Sequence, residues 1–191
     1  MQHNIEQVLN GHSLVPVITF KEGDSPEKLM QYLVENSVKC IEITLRTPQG
    51  IKAIESLKKS FGNDVLVGAG TVTNSAILSP LKDIGTDFIV SPGFTPSLIE
   101  DMEKAGMPYL PGIATPSDVM QLKELGLNHL KFFPANQFGG KSMLKTYGAL
   151  FPDIKFCPTG GITAETSREY LALENVFAVG GSWFQNDFKN S

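Results

Sequence analysis

Cys40-Ile-Glu-Ile-Thr-Leu45, followed at once by Arg46-Thr47-Pro48, is a short apolar run that stops on a helix-start signal. Side chains alternate across a strand, so Ile41, Ile43 and Leu45 share one face while Cys40, Glu42, Thr44 and Arg46 share the other. Thr47 before Pro48 reads as a cap with proline at the first helical position. Strand followed by helix is half of a βαβ unit, and the same pattern recurs on both sides of this stretch. The further strand candidates are Leu14–Phe20, Val65–Val72, Phe88–Gly93, Tyr109–Ala114, His129–Pro134, Lys155–Gly161 and Val176–Trp183. With Cys40–Leu45 they form about eight units at a spacing of roughly two dozen residues.

The intervening stretches read as amphipathic helices. Ser25-Pro26 opens one whose apolar stripe is Leu29, Met30, Leu33 and Val34. Thr95-Pro96 and Thr115-Pro116 repeat the start signal, while Thr163 is followed three residues later by Thr166, a poor capping-box partner. Gly62, Gly85, Gly106 and Gly126 fall where helices should end. No linker or charge block divides residues 1–191, so the expectation is a single domain. Eight alternating units predict a compact (β/α)8 TIM barrel. An open doubly wound sheet would favour GxGxxG after the first strand, where Thr19-Phe-Lys-Glu-Gly23 stands instead.

The composition narrows the function classes. Sixteen Lys plus Arg against 20 Asp plus Glu give a net charge of −4, without the basic footprint of a nucleic-acid binder. No apolar run is long enough for a membrane span. Two cysteines without a CxxC pair fit a reducing compartment, and an N-terminus without a basic start and apolar stretch reads as no secretory signal, so the expected location is cytoplasmic. Three isolated histidines (His3, His12 and His129) offer no HxH or HExxH spacing, and no metal is expected. His3 and His12 read as surface residues, and His129 reads as structural.

The informative residues are charges inside apolar strands. If the aliphatic face of each strand meets helices, Glu42 and Arg46 point inward, and so does Lys131, which alternates with Leu130 and Phe132. Burial without partners disfavours an ammonium, and a neutral amine is a nucleophile able to form a Schiff base with a ketone. Glu42 also has a plain reading, as the counter-charge of a buried ion pair. A second feature is the pair of glycine turns, Thr159-Gly160-Gly161 and Gly180-Gly181-Ser182, at the ends of the last two strands. Strand ends seven and eight are where barrels often hold phosphate, and glycines let backbone N–H groups approach an anion. Cys40 and Cys157 read as small buried thiols, and Trp183 as a packing residue.

Seven segments occur in an order that resembles one family: IEITLRT (41–47), VGAGTV (67–72), SPG (91–93), PGIAT (111–115), KFFPA (131–135), CPTGGI (157–162) and GGSW (180–183). They resemble the 2-keto-3-deoxy-6-phosphogluconate aldolases, which commonly also act on 4-hydroxy-2-oxoglutarate. The resemblance implies a metal-free, cofactor-free class I aldolase on a (β/α)8 barrel, usually a homotrimer. It implies Lys131 as the Schiff-base lysine and Glu42 as acid/base, with Arg46 and Thr71 about the pyruvate carboxylate. Pro92 and Phe133 would be pocket walls, and Gly160, Gly161, Gly181 and Ser182, with Thr159 beside them, the phosphate site. The family usually continues with a longer helix after the last strand. Here eight residues follow Trp183, so the final helix is expected to be short or absent, leaving the last and first strands less covered. The galactonate-type aldolases, which differ in substrate configuration at C4, stand as an alternative. A phosphate-binding isomerase or epimerase, with Glu42 as enolising base, is another. A non-catalytic sugar-phosphate sensor completes the alternatives.

Overall fold

The apolar runs form parallel strands, and helices cover their outer faces. The computed structural model describes residues 5–189; the reading of His3 lies outside them. A short α1 (Ile5–Val8) precedes β1 (Leu14–Ile18), α2 (Pro26–Glu35), β2 (Cys40–Thr44), α3 (Gln49–Phe61) and β3 (Leu66–Gly70). Next come α4 (Leu78–Ile84), β4 (Phe88–Val90), α5 (Pro96–Ala105), β5 (Tyr109–Leu110), β6 (Gly112–Ile113) and α6 (Pro116–Glu124). The chain continues through β7 (His129–Phe132), α7 (Gly140–Leu150), β8 (Lys155–Pro158), α8 (Ala164–Leu171), β9 (Val179–Gly181) and α9 (Trp183–Lys189).

The six-stranded sheet, in the order β5-β4-β3-β2-β1-β9, forms a half-barrel, and β6-β7-β8 form a second sheet of three strands. Every pair is parallel. The run Tyr109–Ala114, expected as one strand, is two, because Pro111 has no N–H to give a ladder. Its carbonyl still accepts from Lys131 N–H at 2.8 Å. Between β8 and the last strand, pairing reduces to the single bridges Phe156–Val176 and Thr159–Gly180.

Two apolar layers follow from the alternation of side chains. Ile41, Ile43, Val67 and Ile89 face outward and pack with helix residues such as Leu33, Ile54 and Leu57. Val15, Cys40, Phe88, Val90, Leu110 and Cys157 face inward, closed below by Ile5 and Leu9. Fully burying an aliphatic side chain stabilises by about 1.5–3 kcal/mol, so these layers supply the main driving force.

Helix starts divide into those capped as the sequence predicts and those that are not. Thr115 accepts from Asp118 N–H at 3.3 Å, while the Asp118 carboxylate accepts from Thr115 N–H at 2.8 Å, a complete capping box. Thr95 accepts from Leu98 N–H at 3.2 Å. Thr163 and Thr166 also form a capping box, since the Thr166 hydroxyl accepts from Thr163 N–H at 2.9 Å; a hydroxyl replaces the expected acid. Thr47 is not a cap. Its hydroxyl donates to the Phe20 carbonyl at 2.6 Å, tying the β1 and β2 ends together, and Pro48 takes the cap position. Ser25 holds the cap position of α2 without a side-chain cap bond.

The final helix is short, as expected, yet it covers the seam between β9 and β1. Phe184 is buried and the Phe188 ring lies 5.6 Å from that of Tyr32 on α2. No described helix is long and apolar enough to cross a membrane.

Asp87, before β4, joins three elements: its carboxylate accepts from Val67 N–H at 2.7 Å and pairs with Lys58 of α3 at 2.9 Å. Asp87→Ala leaves both donors without this partner. The expected loss is about 1–3 kcal/mol, read from urea unfolding.

Candidate active site

Alternation along β2 and β7 turns Glu42 and Lys131 to the same interior. Lys131 Nζ lies 3.0 and 3.1 Å from the two Glu42 carboxylate oxygens, and only 5% of Lys131 and 3% of Glu42 are exposed. The geometry satisfies both charges at once, which a buried pair requires. Nζ also sits 5.5 Å from the Phe133 ring centre, close enough for a cation–π contribution. Small neighbours make the room. Gly68 stands opposite Glu42 and Gly70 opposite Thr44 in the β2–β3 register. A Cβ on Gly70 would lie 2.7 Å from Glu42 Cγ. Cys157 is the register partner of Lys131. Burial pushes its thiol up to about 12, which removes it as a nucleophile. Burial raises the Cys40 thiol likewise and lowers His129, which stays neutral near pH 7.

Above the pair, a cavity of about 280 Å³ opens at the C-terminal strand ends. It gathers Arg46, Phe133, Thr159, Gly160, Gly161, Gly181 and Ser182, all singled out in the sequence. Arg46 is exposed and has no hydrogen bond or ion pair to another described residue, so its guanidinium is free for a ligand. The two glycine turns have different causes. Gly160 and Gly161 have φ of 105° and 75°, where a side chain is strained. Gly181 lies under Trp183, whose ring fills the place of a Cβ, and Gly180 faces Thr159 in the same way. The turns are therefore tight packing features that also contribute Gly160, Gly161, Gly181 and Ser182 to the cavity wall.

Two predicted residues stand apart from that cavity. Thr71 lines a neighbouring one of about 330 Å³ with Leu45, Pro48 and Ile77. Its φ is 63°, a strained value for a β-branched residue and of the kind that collects at functional sites. Pro92 lines a third of about 360 Å³, with Phe133 as a wall common to both sides. Sequence reading missed Gly70, Thr19, Thr44 and Gln185. Gly70 had a signal, being glycine inside a strand, which marks close approach. Thr19 and Thr44 share a hydroxyl–hydroxyl bond of 2.7 Å at the cavity edge. Gln185 binds the Thr19 main chain, and no local pattern announces that.

An amine buried on a carboxylate, below a cationic and glycine-lined cleft at the strand ends of a parallel α/β sheet, defines an enzyme of the Schiff-base class. The comparisons make this specific: the chain belongs to the KDPG and KHG aldolase family, whose sequence model matches residues 5–190. The KHG/KDPG aldolase of Escherichia coli is 38% identical over 178 residues, 93% of this chain and 83% of that protein. The KDPG aldolase of Legionella pneumophila, solved with pyruvate captured at low pH as a covalent carbinolamine intermediate, superposes with a TM-score of 0.92 and 40% identity. That match covers 98% of this chain and 91% of the other. The aldolase of Zymomonas mobilis with 3-phosphoglycerate gives a TM-score of 0.90 at 36% identity, covering 96% and 87%.

The contact between Gly70 and Glu42 is testable without reference to any substrate. Gly70→Ala forces the carboxylate off Lys131 or shifts β3. The expected cost is about 1–3 kcal/mol in urea unfolding, the range for overpacked cores. A parent-like midpoint would mean that Glu42 has room to move.

Proposed function

We propose that this chain is a class I aldolase, a lyase. It cleaves 2-keto-3-deoxy-6-phosphogluconate to pyruvate and glyceraldehyde 3-phosphate, and 4-hydroxy-2-oxoglutarate to pyruvate and glyoxylate. The observation that carries the reading is Lys131 Nζ held between both Glu42 oxygens directly under a cleft with a free arginine. The isolated bridges Phe156–Val176 and Thr159–Gly180, and the continuity of β5 and β6 through Pro111, support a single (β/α)8 barrel domain closed from the two sheets. The reading includes a cytoplasmic homotrimer, for which exposed Met120, Leu125 and Leu150 offer apolar surface.

In this mechanism the Lys131 ammonium passes a proton to Glu42, and the free amine attacks the C2 ketone. Glu42 returns that proton to the oxygen of the adduct and then carries a second from its nitrogen to the same oxygen; water leaves, and an iminium forms. A carboxylate base, Glu42 directly or through water, takes the C4 hydroxyl proton. The C3–C4 bond then breaks, its electron pair moves into the iminium, and an aldehyde departs. Glu42 delivers the proton to C3 of the enamine, and water hydrolyses the product iminium to pyruvate and the Lys131 ammonium. One carboxylate serves throughout because each proton it takes is returned. Arg46 would hold the substrate carboxylate, with Thr71 close to it and Pro92 and Phe133 as walls. Thr159, Gly160, Gly161, Gly181 and Ser182 would receive the phosphoryl group. That binding, remote from the reacting carbons, would lower the barrier as well as tighten binding.

Borohydride with pyruvate is expected to add one reduced pyruvyl group to the peptide containing Lys131, read by intact mass and peptide mapping. Lys131→Met is expected to lose both adduct and turnover while keeping the fold. An adduct at Lys141 or Lys155 would displace the assignment, and no adduct at all would favour an isomerase or a sensor.

Glu42→Gln preserves shape without the ability to transfer protons. Turnover is expected to fall by about 10²–10⁴, the usual contribution of such a group, while a slow adduct with pyruvate still forms. Near-normal turnover with a sharply lower melting temperature would leave Glu42 only as a counter-charge.

A further inference from the structure

The two ends of the cleft are joined by a side chain that the mechanism does not use. The β9–β1 ladder ends at Gly181 opposite Pro16, and the β1–β2 ladder ends at Ile43 opposite Ile18. Past both ladder ends, the Thr19 main chain has no strand neighbour. Gln185, in the first turn of α9, takes that place. Its Nε2 donates to the Thr19 carbonyl at 3.0 Å, and its Oε1 accepts from Thr19 N–H at 3.4 Å. Gln185 N–H in turn donates to the Ser182 carbonyl at 3.2 Å. On the other side, the Thr19 hydroxyl is bonded to that of Thr44, which shares the inner face of β2 with Glu42 and precedes Arg46 by two residues. Hydrogen bonds therefore run unbroken from the Ser182 turn, through Gln185 and Thr19, to the end of β2, two residues before Arg46. All but Thr44 border the same cavity.

We propose that Gln185 is a positioning residue that fixes the separation between the Ser182 turn and Arg46, and so favours substrates long enough to engage both. The inference rests on the phosphoryl-binding reading of the Ser182 turn given above. A six-carbon phosphorylated 2-keto acid carries a group for each end of the cleft, a carboxylate for Arg46 and a phosphoryl group for the Ser182 turn. 4-Hydroxy-2-oxoglutarate carries no phosphoryl group and gains little from a fixed separation. Loosening the tie lets the Ser182 turn drift, and the penalty falls on the longer substrate.

The test is Gln185→Leu, close in size but unable to form either bond, beside Gln185→Glu, which keeps the acceptor for Thr19 N–H and sets a negative charge beside the Ser182 turn. The steady-state constants are measured on both substrates, together with borohydride trapping of pyruvate. For Gln185→Leu, kcat/KM on the phosphorylated substrate is expected to fall about tenfold more than on 4-hydroxy-2-oxoglutarate, mostly through KM, as for two lost neutral hydrogen bonds. Gln185→Glu should lose more on the phosphorylated substrate than Gln185→Leu does. It also serves as the variant of record if the leucine form does not fold. Trapping on Lys131 should match the parent in both. Equal losses on the two substrates, or parent-like constants on both, overturn the inference while leaving the aldolase reading intact. A parent protein that neither cleaves the phosphorylated substrate nor traps pyruvate overturns the two together.

Discussion

A lysine and a glutamate buried against each other set the terms for the rest of this molecule. Removing two charges from water costs several kcal/mol per ion, and only close, well-oriented contact offsets that cost. Here β2 and β7, which belong to different sheets, must hold Lys131 and Glu42 within 3.1 Å. The surrounding composition follows. Gly70 is glycine where a Cβ would strike the Glu42 side chain, and Gly68 where one would strike Phe88. Phe88 and Phe133 are large where space remains, Phe88 over Gly68 and Phe133 beside the ammonium.

The polarity of the site changes with height. At the bottom the inner layer is apolar, closed by Ile5 of α1 and Leu9 just after it. The ion pair lies above it, and higher still is a cleft with an exposed arginine, walled in part by Gly160, Gly161 and Gly181. A net charge of −4 therefore coexists with a local site suited to an acidic ligand. Overall charge governs solubility and non-specific association, whereas the placement of one unpaired guanidinium decides what enters the cleft. The ligand proposed for this layout has a carboxylate with an adjacent ketone at one end and a phosphoryl group at the other. That pairing connects the geometry to the proposed aldol cleavage.

Rigid and strained elements meet at the strand ends. Thr71 at φ 63° lines a cavity with Leu45 and Pro48, and the Gly160-Gly161 turn is backed closely by Pro134 and Asn136. Such conformations persist only where surrounding contacts over-determine them. The clasp of Gln185 on Thr19 belongs to the same set of contacts and explains how a final helix as short as α9 stays seated on β1.

The sequence by itself determined the periodicity of the strands, the helix starts at Thr95 and Thr115, the inward faces of β2 and β7, and hence the identity of the two interior charges. Those are local properties, dictated by side-chain alternation and capping chemistry. It misassigned Thr47, whose hydroxyl is oriented by donating to the Phe20 carbonyl, a partner 27 residues away that the local pattern does not show. It joined Tyr109–Ala114 into one strand because a proline's missing donor matters only once a neighbouring strand needs it. What only the tertiary structure decided is distance. That Lys131 and Glu42, 89 residues apart, meet at hydrogen-bond range is a consequence of strand order and register. So is the meeting of Gln185 with Thr19, 166 residues away. Contacts between residues so far apart in the chain leave no trace in either segment alone, because each is satisfied only when the packed sheets bring its partner to it.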